Sequence, residues 1–191
     1  MLLVAALLVS LAPAPEIVHV VVGGVDRQAI VYKPSQSTSA KPPVLFAFHG
    51  HGGSPERMNG RAHFETLWPE AIVVYPQGLP TTIQDPTQVG PGWVLSVKES
   101  NRDIKLFDAL RKDVIDHYNG DPNHVFAFGF SNGAMFMYTL WSLRGSQLAG
   151  LGSSEGCMIE TMKLAPPRPF TPNGLAPTTC DSDPGAKCDA S

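Results

Sequence analysis

Val125-Phe126-Ala127-Phe128-Gly129-Phe130-Ser131-Asn132-Gly133-Ala134-Met135-Phe136-Met137-Tyr138 passes from one apolar segment to another through a glycine–serine–glycine turn. The first segment, 125–130, is short and continuously apolar, as expected of a strand covered on both faces. The second stays free of glycine and proline as far as Leu143, which predicts a buried helix. A strand that turns into a helix within G-x-S-x-G is a nucleophile elbow, with the serine strained and its hydroxyl at the carboxyl edge of the sheet. Gly129 and Gly133 are needed because a side chain at either would crowd the turn or the neighbouring strand. The helix start aims backbone N–H groups and a positive dipole end at the same point. Ser131 is thus the candidate catalytic residue, and acyl transfer is the chemistry expected of it.

The rest of the chain supplies the context that such a turn requires. Val44–Phe48 and Ala71–Tyr75 are further short apolar runs, and Ala149–Gly152 reads as one more strand. Ser54-Pro55-Glu56 has the serine, proline and acid of a helix start. Ile104, Phe107, Leu110, Val114 and Tyr118 recur at three- and four-residue steps, with Lys105, Asp108, Lys112 and Asp116 mostly opposite, so an amphipathic helix is expected there. Ser100 with Asp103 reads as its capping box, and Asn119-Gly120 as its left-handed stop. Ile17–Val22 and Gln28–Tyr32 flank Gly23-Gly24-Val25-Asp26 and predict an antiparallel hairpin. Apolar strands alternating with helices make this an α/β protein with a mostly parallel sheet.

A second constellation, His49-Gly50-His51-Gly52-Gly53, directly follows the strand at 44–48. A glycine-rich turn there lets backbone N–H groups approach a substrate carbonyl. His51, with Gly52 as the close alternative, is the expected oxyanion donor from this loop. The amide of Asn132, next after the serine, is the expected second donor.

Taken in order, FAFHGHGG (46–53), VVYPQG (73–78), Gly92-Trp93 and DPNHVFAFGFSNGAMFMY (121–138) resemble a secreted polyhydroxybutyrate depolymerase or feruloyl esterase-type α/β-hydrolase. The resemblance covers about 16–155. It implies the α/β-hydrolase fold, Ser131 as nucleophile, oxyanion donors from the His49–Gly53 loop and Asn132, and short-chain, aryl or polymeric ester substrates. Trp93 matches a tryptophan-bearing stretch of that family, where it would line the acyl pocket; a core tryptophan is the equal alternative.

The resemblance also implies a triad in the order Ser, Asp, His. The chain departs from it there. No histidine follows Ser131, and 169–178 looks like an acid turn without its aspartate; Asp181 and Asp183 match nothing well. The expectation is a hydrolase core that lacks its last strands, by truncation or divergence. His19, His63, His117 and His124 read as surface or structural residues. A base at His51 is disfavoured because this loop presents backbone, not imidazole. Without a base Ser131 stays protonated and is a poor nucleophile. The alternative function is therefore a non-catalytic or crippled hydrolase-fold protein that binds an ester or polyester.

Composition narrows the partners. The chain of 191 residues is 43% hydrophobic with a net charge of −3, enough for one core, with no basic footprint for nucleic acid. Residues 1–14 form an apolar run ending Ala12-Pro13-Ala14, read as a signal peptide of an exported protein. The run falls short of the ~20 residues of a membrane span. The α/β core is assigned to 15–164 and an irregular Pro-rich tail to 165–191. Of three cysteines, Cys180 and Cys188 could close a small disulfide loop and leave Cys157 over. No histidine or CxxC pair accompanies them, so neither a metal nor any other cofactor is expected. The sequence does not address oligomeric state.

Overall fold

The computed structural model describes residues 14–36, 40–82 and 87–158. The expected signal peptide, apart from Ala14, the Pro-rich tail and the Cys180–Cys188 pair lie outside the described residues. Eight strands and four helices appear among those described. They are β1 (Glu16–Val22), β2 (Val25–Tyr32), β3 (Val44–Phe48), α1 (Pro55–Ala62), α2 (Phe64–Leu67), β4 (Ile72–Pro76), β5 (Leu79–Thr81) and β6 (Gly90–Gly92). After these come α3 (Arg102–Tyr118), β7 (Val125–Phe130), α4 (Asn132–Arg144), a 3-10 turn and β8 (Gly150–Ser154).

Six strands form one sheet in the order β1-β2-β4-β3-β7-β8. β1 and β2 are antiparallel to their neighbours, whereas β4, β3, β7 and β8 run parallel. The apolar runs are explained by burial on both faces. Val44, Phe46 and Phe48 of β3 join Ile72, Val74 and the inner sides of α3 and α4 in one core. Ala47, Val73 and Tyr75 face the opposite way and pack with Met58 of α1. Fully burying an aromatic such as Phe48 is worth about 1.5–3 kcal/mol. Its ring also meets Trp93 and Phe136 edge-on at 5.0 and 5.2 Å.

Two sequence expectations are corrected. The β1–β2 turn is two residues long, Gly23-Gly24, with Val22 opposite Val25. Both glycines have positive φ, 59° and 79°, which suits the right-handed twist of a tight hairpin and lets β2 begin at Val25. The cap of α3 is Asn101, whose side chain accepts from the Asp103 N–H. Ser100 is not the cap, and Asp103 does not reach back to close a box: it is wholly buried and ion-paired to Arg27 at 2.9 Å. At the other end Asn119 is left-handed, φ 58°, as expected of the stop. The β5–β6 hairpin was not legible in advance, since Leu79-Pro80-Thr81 and Gly90-Pro91-Gly92 carry no strand-like pattern.

The topology sets where the loops of the sheet's carboxyl edge part. From β3 the chain moves to β4 on one side; β7 later docks on β3's other side. The loops leaving the carboxyl ends of β3 and β7 therefore diverge from neighbouring strands and leave a crevice between them.

Candidate active site

Those two loops are the His49–Gly53 turn and the elbow at Ser131. Ser131 has φ 52° and ψ −115°, a conformation outside the ordinary regions for a residue with a side chain. Its N–H donates to Ser154 of β8 at 2.9 Å, and its carbonyl accepts from Met135 at 3.0 Å, so the strained residue is held from both sides. A methyl group on Gly129 would stand 2.2 Å from the Gly133 carbonyl oxygen, which shows how tightly the elbow closes. Gly50 lies directly across the crevice, where an added Cβ would meet the Ser131 Cβ at 3.3 Å.

Ser131 and Asn132 are adjacent at the elbow, and the loop that carries His51 faces them across Gly50 and Gly92. The N–H groups of His51 and Asn132 have no acceptor among the described residues. Gly52 is different, because its N–H donates to the Pro91 carbonyl at 2.8 Å. Of the two donors proposed from this loop, His51 is the one with a free amide. The His51 imidazole is committed elsewhere: Nε2 lies 3.0 Å from the Thr81 carbonyl, so the ring is pinned to the β5–β6 hairpin.

Trp93 is placed in the core. It is 1% exposed, its indole N–H donates to the His49 carbonyl at 2.6 Å, and its ring stacks on Phe136. Such a residue supports the loop from beneath and offers no face to a ligand, so the core alternative holds over the pocket-lining one.

Three features escaped the sequence. Asn132 uses its side chain as well as its amide: Oδ1 accepts from the Trp93 N–H at 2.7 Å, and Nδ2 donates to the Trp93 carbonyl at 3.3 Å. His49 is buried, with Nδ1 2.7 Å from the Gly50 carbonyl and Nε2 accepting from the Gly78 N–H at 3.0 Å. Nε2 must be unprotonated to accept, so Nδ1 carries the hydrogen. Burial pushes the His49 pKa below its ordinary value and keeps the ring neutral. The third is Asp103, which binds Arg27 through one oxygen and the Val94 N–H, at 2.8 Å, through the other. It ties β2, α3 and the segment before it together under the crevice. Only the buried polar character at separated positions could have signalled these.

The remaining histidines are exposed and sit beside acids: His19 with Asp26, His63 with Glu65, His117 with Asp113 and His124 with Asp121. No hydrogen bond links the Ser131 hydroxyl to a histidine among the described residues. Arg57, Met58 and Arg61 of α1, with Phe130 and the His49–Gly53 loop, line an open cleft beside the elbow.

No family model matches the chain. It is 28% identical over 135 residues to the bifunctional acetylxylan esterase/xylanase XynS20E of Neocallimastix patriciarum, a match covering 70% of this chain and 18% of that protein. It is 28% identical over 145 residues to "Probable feruloyl esterase C" of Aspergillus flavus, covering 70% of this chain and 48% of that one. The chain thus spans less than half the length of these curated relatives. Among solved structures, an acetyl xylan esterase from Aspergillus awamori superposes with a TM-score of 0.62 at 21% identity, over 80% of this chain and 57% of that one. An S-formylglutathione hydrolase from Agrobacterium tumefaciens gives a TM-score of 0.59 at 16% identity, over 73% and 56% of the two chains.

The fold is that of the α/β-hydrolases. Both curated relatives named above are esterases by name, and among the described residues no helix is long and apolar enough to cross a membrane.

Proposed function

We propose that this protein is a serine carboxylic-ester hydrolase, acting on polyhydroxyalkanoate, feruloyl or other aryl esters, or related polyesters, and exported by residues 1–14. The observation that carries the reading is the Ser131 backbone, strained at φ 52° between two glycines whose added side chains would strike neighbouring main chain. Strain of this kind costs about 1–3 kcal/mol and persists where the surroundings enforce it. The esterase names of the relatives support the same reading.

In the proposed reaction the Ser131 Oγ attacks the ester carbonyl carbon as its proton passes to solvent. The carbonyl oxygen becomes an oxyanion held by the His51 and Asn132 N–H groups. Collapse expels the alcohol, which takes up a proton, and leaves an acyl-serine. Water then adds to the acyl carbon, the acid departs and Oγ regains its hydrogen. Oxyanion stabilisation and binding alone sustain roughly 10³–10⁴-fold catalysis over water when the proton-handling residues of such sites are removed.

A fluorophosphonate probe and a 4-nitrophenyl ester test this together. The expected result is covalent labelling at Ser131 and ester hydrolysis, both abolished in Ser131→Ala. Ester binding without labelling would point instead to the non-catalytic reading, and unchanged hydrolysis by Ser131→Ala would refute the nucleophile.

A further inference from the structure

The cleft beside the elbow carries a charge pattern that ester hydrolysis by itself does not require. Arg57 and Arg61 stand one turn apart on α1, both exposed, and both line it. Like charges at this spacing on a helix repel each other. Three other arginines face carboxylates: Arg27 and, at 3.7 Å, Arg102 share Asp103, and Arg144 meets Glu99 and Asp108. Among the described residues Arg57 and Arg61 have no carboxylate partner. The acids near them in sequence are engaged elsewhere. Glu56 accepts from the Ser54 hydroxyl at 2.6 Å, and Glu65 accepts from Asn59 and Tyr75, each at 2.8 Å.

Both guanidinium groups are also held in place. Arg57 Nη1 donates to the Gly52 carbonyl at 3.2 Å, which leaves its other N–H groups available. Arg61 lies over the Phe130 ring at 4.0 Å from the centroid, a cation–π contact with the residue preceding Ser131. One cation is thus fixed to the proposed oxyanion loop and the other to the elbow strand. Neither histidine of the loop competes, since His49 is buried and neutral and the His51 ring is bonded to Thr81.

We propose that Arg57 and Arg61 form a carboxylate-recognition subsite, so that the preferred substrate is an ester carrying a second, ionised carboxylate. Guanidinium groups donate parallel N–H bonds to a carboxylate, which a neutral ester cannot accept as strongly. The assignment deepens the esterase reading and rests on it for the position of the scissile bond.

Binding separates the two claims, because it requires no turnover. Monomethyl succinate and dimethyl succinate are titrated into the full chain at low ionic strength, with the amide resonances of Gly52 and Phe130 followed by NMR. The monoester is expected to bind roughly fivefold more tightly, from two partly exposed charge contacts. That preference disappears in the Arg57→Gln/Arg61→Gln double variant and at about 0.5 M salt, and is reduced in Arg57→Lys/Arg61→Lys, which keeps the charge but loses the parallel N–H pair. Equal binding of the two esters, or a preference that persists in the glutamine variant, overturns the subsite. Failure of fluorophosphonate labelling would sink the esterase reading and leave the binding preference unaffected.

Discussion

Gly133 lies so close to Phe48 that a methyl group in place of its hydrogen would stand 2.3 Å from the Phe48 carbonyl oxygen and 2.7 Å from that of His49. The first turn of α4 is thereby pressed onto the end of β3, and the elbow and the glycine-rich loop share one wall. Gly133→Ala forces these backbones apart. The expected loss is about 2–3 kcal/mol, at the upper end of ordinary core overpacking, with loss of Ser131 labelling. Urea denaturation and probe labelling measure the two effects.

Relief of strain at Ser131 predicts the opposite sign of change. Ser131→Gly removes the side chain that makes φ 52° costly. Stability is expected to rise by about 1 kcal/mol, less than the full strain because glycine also loosens the unfolded chain. Labelling is abolished. A variant more stable than wild type yet inert to the probe is the outcome to look for in thermal melts.

The Arg27–Asp103 pair predicts strong non-additivity. Both side chains are almost wholly buried, 1% and 0% exposed, and the Arg27 Nε and Nη1 have no partner of their own. Asp103→Ala leaves a buried cation uncompensated and is expected to cost about 3–5 kcal/mol. Arg27→Met with Asp103→Leu removes both charges and should recover most of that loss. A double-mutant cycle on unfolding free energy reads the coupling.

His49 gives a pH dependence whose sign follows from its depressed pKa. Above the ordinary value of 6.5 the ring is neutral in both folded and unfolded chains, and its contribution is constant. As pH falls below that value the unfolded chain takes up a proton that the folded one refuses. Stability therefore declines with falling pH until the folded pKa is reached, then levels off. His49→Gln should be less stable at neutral pH by about 1–3 kcal/mol, for the buried partners left unsatisfied, and should flatten this acid decline. Urea midpoints across the range test it.

The parts of the fold written in contiguous residues were readable in advance. β3 and β4 are apolar throughout because both faces are covered, β7 because one face is buried and the other partly covered, and the α3 stripe follows from a single buried side. The Ser131 turn was readable because strand, glycines and helix occupy adjacent positions. What joins distant positions was not. Arg27 and Asp103 are separated by 76 residues, and nothing in either neighbourhood marks them as a pair. The Asn132 side chain on the Trp93 backbone spans 39 residues. Trp93 itself shows the limit of motif transfer, since a matching Gly-Trp step does not say which way the ring turns.

The register of β3 against β7 has a consequence in time. Val44 pairs with Val125, so about 80 residues must be looped in before the two halves of the crevice meet. The Ser131 N–H then waits on Ser154 for its acceptor. Contacts of such separation form slowly. During synthesis the residues of the β1–β2 hairpin and α1 emerge before those of the elbow, and the Ser131 N–H has its Ser154 acceptor only once β8 has joined the sheet. The proposed nucleophile thus gains the Ser154 support of its backbone only after the last described strand is in place.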